Sequence, residues 1–239
     1  MKLFFIFACL MVAATAAQAA DYDKTEKTSF CEIRLRIPSS AMAIAPLRDM
    51  IMARYNADAS TTRKEAREDK DGNPSFQPYV VDINWRATFE NDAVISLSAD
   101  TYADTGAAHP NEAFQTLVWD KRAARAMPIS AFFEPAQTNA ALAAIAAAAS
   151  NAWTKVYTQR SGRKPGPGTD LAKDGIGPDA EELKSYALTY AKGEKTANGI
   201  VLLYGAGQVW PHVLGDFRLA VPATVFAKYL APQWRSMFT

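Results

Sequence analysis

Residues 81–102 read VDINWRATFENDAVISLSADTY, and their alternation decides the fold class. Val81, Ile83, Trp85, Ala87 and Phe89 share one side of an extended chain; Asp82, Asn84, Arg86, Thr88 and Glu90 share the other. Successive strand side chains point to opposite faces, so a period of two predicts a half-buried strand. Asn91-Asp92 supplies a tight turn, and Val94 to Tyr102 returns with Ile95, Leu97 and Ala99 inward. After a loop, Ala113 to Trp119 gives a third strand. Together they predict an antiparallel meander with one buried and one wet face.

Upstream, Cys31, Ile33, Leu35 and Ile37 alternate with Glu32, Arg34 and Arg36, which predicts another half-buried strand. Pro38-Ser39-Ser40 offers a helix cap, and Ile44, Leu47, Ile51 and Tyr55 recur at helical spacing, with Pro46 fitting only near the start. The charged run Thr61 to Lys70 reads as a solvated helix end or a loop, and Asp71 to Pro74 as a turn. Downstream, Pro135 to Tyr157 is an alanine-rich helix. Its stripe is Leu142, Ile145, Ala149, Trp153 and Val156, which should pack on the sheet. Ser161 to Pro178, rich in Gly and Pro, reads as an exposed loop. Tyr186 to Tyr190 and Ile200 to Tyr204 read as a hairpin, and Phe217, Leu219 and Val221 as a last strand. Pro222 opens a short helix through Leu230. The fold class is α+β, an antiparallel sheet with helices packed on one face. Residues 20–77 form a strand-helix region and residues 78–239 the main region, read as one compact unit.

The first 19 residues read as a signal peptide: Lys2, an apolar run from Leu3 to Ala14, and the small-x-small site Ala17-Gln18-Ala19. The mature chain is expected to start at Ala20, in the periplasm or secreted, with no transmembrane segment after cleavage. Only Cys31 survives processing, and its place on the apolar face makes it a buried hydrophobe rather than a nucleophile or ligand.

The chain carries a formal net charge of +1, and loss of Lys2 leaves it neutral. Between Pro78 and Asp120 stand seven acidic residues and one basic residue, Arg86. This acidic block argues against a nucleic-acid partner and favours a cationic one, or else marks an ordinary solvated sheet face.

The loop Tyr102 to Phe114 carries the candidate site. Tyr102, Asp104, His109 and Asn111 offer an aromatic contact, a charge and hydrogen bonds within one segment. His109 is one of two histidines. It reads either as a turn-former bonding local backbone, as a contact presented to a partner, or as an acid-base group. There is no Gly-x-Ser-x-Gly elbow. A zinc site would need His109, His212 and a carboxylate; the run Asp69 to Asn73 lacks a calcium loop's glycine position and closing glutamate; Lys164 to Thr169 lacks the order of a phosphate loop. No catalytic residue, metal or cofactor is expected.

At this loop the chain resembles a bacterial envelope domain family known from the lysozyme-sensing domain of RsiV-type anti-sigma factors and the non-catalytic domain of PdaC-type peptidoglycan deacetylases. The resemblance rests on Tyr102, Gly106 to Asn111, Phe114 to Trp119 and Ile129 to Phe133. Nearer the C-terminus it rests on Gly199 to Tyr204, Val209 to Gly215 and Ala220 to Pro222. Ala107 stands where the family has a second glycine. The sensors' membrane helix and a deacetylase domain are missing, so signalling and deacetylation do not carry over. The resemblance implies a module binding a cationic protein such as a lysozyme-like muramidase, or peptidoglycan. The alternatives are an envelope hydrolase using His109 with Asp104, and a structural envelope protein.

Overall fold

The computed structural model describes residues 21–166, 175–190, 195–209 and 212–239. The signal-peptide reading, and residues 167–174 of the Gly- and Pro-rich segment, fall outside them. Six strands form one sheet in the order β1 (Tyr22–Lys27), β2 (Cys31–Ile37), β3 (Tyr79–Glu90), β4 (Val94–Asp104), β5 (Asn111–Asp120) and β6 (Arg125–Ala126). Between β2 and β3 the chain passes through α1 (Ser39–Met42) and α2 (Ala45–Gly72). This crossover makes β2 and β3 parallel, while every other neighbouring pair is antiparallel. The class is α+β, with one parallel pair in a mixed sheet. A second sheet holds β7 (Tyr186–Thr189), β8 (Gly199–Tyr204) and β9 (Phe217–Pro222), and α3 (Thr138–Ser161) packs against β9.

The large sheet separates two cores. Ile33, Leu35, Ile83, Trp85, Ile95, Leu97 and Trp119 point at α2 and meet Leu47, Ile51 and Tyr55. The charged run Thr61 to Lys70 is the second half of α2, where Ala59 and Ala66 lie against the core because small side chains let helix and sheet approach. Pro46 stands in the first turn, where its missing N–H costs no helical bond.

The opposite face is buried at one end only. There Phe89, Val94 and Val118 join Phe132, Leu142, Ile145, Trp153, Leu202 and Phe217. Trp85 and Trp153 are thus both buried, yet in different cores, because α3 packs on the small sheet rather than on the meander.

A register shift between Ala87 and Phe89 explains the face change within β3: Ala87 pairs with Leu97 and Phe89 with Ser96. The extra residue turns Phe89 to the second core and leaves Ala87 exposed, correcting the inward placement that strict alternation assigned to it. Thr88 donates to Ser96 Oγ at 2.9 Å, and that buried oxygen also accepts the Leu188 N–H at 2.9 Å, joining the two sheets. The wet face is therefore covered at Ser96 and Ser98 and open beyond them.

Three further details depart from the sequence reading. Strand β1 was not visible as a strand, since its alternation is between charged and polar groups. Val156 is only half-buried, and Tyr157 takes its place in the core stripe. The segment after Pro222 forms short 3-10 turns, Ala223–Val225 and Ala227–Tyr229, rather than one helix through Leu230.

Candidate binding groove

The open part of the sheet face carries two rows of side chains. Pairing runs Arg34–Asp82–Tyr102–Glu112 in one row and Arg36–Asn84–Asp100–Phe114 in the next. All have even numbers on their strands, so the pleat that buries the odd-numbered residues of β2 and β3 against α2 presents them together. Asp216 and Arg218, at the start of β9, close the end of a groove of about 470 Å³.

Most of its charges are matched. Arg34 donates to Glu32 at 2.8 Å, and Arg36 to Asp23 at 3.3 Å. Asp100 receives Arg86 on one side and Arg218, at 3.2 Å, on the other. Arg218 also donates to Asp216 at 3.0 Å and lies 4.6 Å from the ring centre of Phe114. The Lys27 ammonium and the Arg34 guanidinium hold the Glu32 carboxyl below its ordinary range. Asp82 and Glu112 differ: neither side chain makes an ion pair or hydrogen bond with a described residue. Between them stands Tyr102, one of the few large hydrophobic side chains left exposed, at 37%.

The loop beyond β4 closes this end of the sheet. Asp104 accepts the Gly106 N–H at 3.0 Å, and Gly106 takes a φ of +75°, a local turn that glycine adopts without strain. His109 Nδ1 lies 3.3 Å from the Pro110 carbonyl oxygen. Its ring stacks on that of His212, with centroids 4.1 Å apart. Asn111 opens β5 opposite Ala103. Gly205 permits the second contact between these segments: a Cβ there would lie 2.8 Å from the Glu112 carbonyl oxygen.

Of the four residues chosen from sequence, Tyr102 lines the groove, while Asp104 ends β4, His109 lies on the loop beyond it and Asn111 opens β5. The two histidines do come together, but no group of three His, Cys, Asp or Glu side chains able to hold a metal occurs among the described residues. Sequence reasoning did not select Asp82, Glu112, Phe114 and the arginines. Asp82, Arg34 and Arg36 lay on the polar faces of alternations it had recognised; no face was assigned to Glu112 or Phe114, and Arg218 comes from a distant strand and left no such signal.

The fold and groove define an α+β module with an open, charged sheet face and a covered opposite face. Residues 24–112 match the family described as "Deacetylase PdaC", a stretch that runs from β1 into β5 and includes Asp82, Tyr102 and Glu112. A solved DUF3298 family member from Bacteroides fragilis NCTC 9343 shares the fold, with a TM-score of 0.50 at 12% identity, covering 90% of this chain and 93% of that one. A DUF3298 family protein from Pseudomonas aeruginosa PAO1 aligns with a TM-score of 0.49 at 13% identity, over 89% and 92%. No curated protein matches the chain. The chain thus resembles a PdaC-like domain family without an assigned general function.

Proposed function

We propose that this protein is an exported binding module of the cell envelope that takes a cationic group of a partner protein, such as a lysozyme-like muramidase, into the groove. One observation carries the reading: Asp82 and Glu112 lack cationic partners among the described residues, beside exposed Tyr102. A lysine or arginine side chain fits this arrangement, its stem on the ring and its charge between the carboxylates. The groove already holds one guanidinium in this way, since Arg218 lies over Phe114 and pairs with Asp100 and Asp216. The second reading is peptidoglycan, whose stem peptides can present an amine to the same carboxylates.

The test is surface plasmon resonance of the mature chain against lysozyme and against solubilised peptidoglycan. Asp82→Asn with Glu112→Gln should weaken lysozyme binding about tenfold or more, the scale of a charge contact removed. Unchanged binding by a folded double variant overturns the groove, and loss of peptidoglycan binding alone moves the reading to the second ligand. Export is tested separately: mass spectrometry of protein from its native host should find a chain starting at Ala20, and a retained Met1 would overturn it. No helix among the described residues is long and apolar enough to cross a membrane.

A further inference from the structure

A second cavity, of about 670 Å³, lies away from the groove, between the β3–β4 turn, the β5–β6 turn and the C-terminal turn Pro232–Met237. Its inner wall is apolar. Met127 and Met237 are buried there, and Pro128 and Ala131 continue the surface. Trp234 forms one side in a fixed pose, because its Nε1–H donates to the Ala131 carbonyl at 3.0 Å and its ring meets Phe132 edge-on at 5.5 Å.

The mouth is cationic. Arg122 and Arg125 both line it, and neither guanidinium makes an ion pair or hydrogen bond with a described residue. The acid nearest in the turn, Asp120, is engaged by the backbone: one oxygen accepts the N–H groups of Arg122 and Ala123 at 2.8 and 2.9 Å. Ala124 turns the chain with a φ of +50°, and β6 then pairs Arg125 with Asp120. The turn thus holds two arginines at one opening. Lys121 is committed elsewhere, bonded to Glu90 at 2.7 Å.

We infer that this cavity binds a small carboxylic acid with an apolar or aromatic body, its carboxylate at Arg122 and Arg125 and its body against Trp234 and the two methionines. The volume lies in the range of small-molecule pockets, and an apolar wall with a few convergent polar groups is their usual make-up. Guanidinium forks match carboxylates in geometry as well as charge. The sign is opposite to that of the groove, so this inference does not depend on the cationic partner proposed there.

The probe is 4-phenylbutyrate, with 4-phenylbutylamine and 4-phenylbutanol as controls of the same body. Nitrogen-15 NMR of the mature chain reads the indole N–H resonance of Trp234, assigned by its absence in Trp234→Phe. Phenylbutyrate should shift that resonance saturably, and the amine should not. Arg122→Ala with Arg125→Ala should raise the dissociation constant about tenfold or more, the scale of losing a charged contact. Both residues are exposed, and an unchanged spectrum elsewhere establishes that the variant is folded. Three results overturn the inference: no shift at millimolar phenylbutyrate, equal affinity for the amine or alcohol, or unchanged affinity in the folded double variant.

Discussion

Glu26 stands between Lys24 on its own strand and two residues of α2. It lies 2.6 Å from the Lys24 ammonium, accepts the Tyr55 hydroxyl at 2.9 Å, and accepts Arg63 at 2.7 Å. The contact with Lys24, and then those with Tyr55 and Arg63, hold its carboxyl below the ordinary value against the opposing effect of burial. A depressed carboxyl favours the fold while it is ionised. The contribution is therefore present above the unfolded value of 4.5 and is lost as pH falls below it. Glu26→Gln should lower stability at pH 7 by about 1 kcal/mol, modest because the site is partly solvated. Denaturant melts at pH 7 and pH 3 should show the difference between variant and parent shrinking at the lower pH; an equal difference at both would remove the electrostatic account. Nothing in the sequence pointed to Glu26, since its partners on α2 lie 29 and 37 residues away. Cys31 was legible for the opposite reason: its place in a local alternation was enough to bury it.

Elements reveal where local pattern fails. The strands of the meander were readable because the period of two is set within a few residues. The bulge at Thr88 was not, because nothing in the alternation of 81–90 announces an extra residue; only pairing with β4 exposes it. The parallel pairing of β2 with β3 likewise depends on where the crossover lands. The consequence is measurable in the tryptophans. Trp85→Ala and Trp153→Ala should each cost about 3–5 kcal/mol, as large side chains lost from a core. Because one faces α2 and the other lies beyond the small sheet, their costs should add in the double variant, measured by urea melts of enough range. A marked shortfall would mean that the two cores relax together. At the strand scale, Gly199 carries β8 past β9 so closely that a Cβ would lie 2.3 Å from the Val221 carbonyl oxygen. Gly199→Ala should therefore destabilise by about 1–3 kcal/mol through displaced backbone, and a neutral melt would show that β8 can shift without loss.

Across the whole molecule, charge is arranged by face rather than by sequence block. The acidic stretch from Pro78 to Asp120 was visible in the chain, but its neutralisation was not. Asp100 is matched by Arg218, and Glu90 by Lys121. Among the described residues Asp82, Asp92, Asp104, Glu112 and Asp120 make no ion pair; of these Asp82 and Glu112 line the groove, while Arg122 and Arg125 lie at the second cavity. A partner met through the first site is then steered by a local field, not by the near-zero net charge. Raising ionic strength from about 0.01 to 0.15 M shortens the screening length from about 30 to 8 Å, so the association rate with lysozyme should fall steeply, while dissociation from the formed contact changes less. His109 divides the remaining question. Its stack on His212 joins the loop after β4 to the segment before β9, and each of these segments leads into a strand that lines the groove. If that stack holds the groove's shape, His109→Ala should lower the melting temperature and weaken lysozyme binding together. If His109 is instead a contact, melting stays constant and only the affinity drops. Stopped-flow association across the salt range, run beside calorimetric melts of the same variant, separates the two. A rate independent of salt would show that the unpaired carboxylates do not steer the partner, and would leave the groove without its electrostatic role.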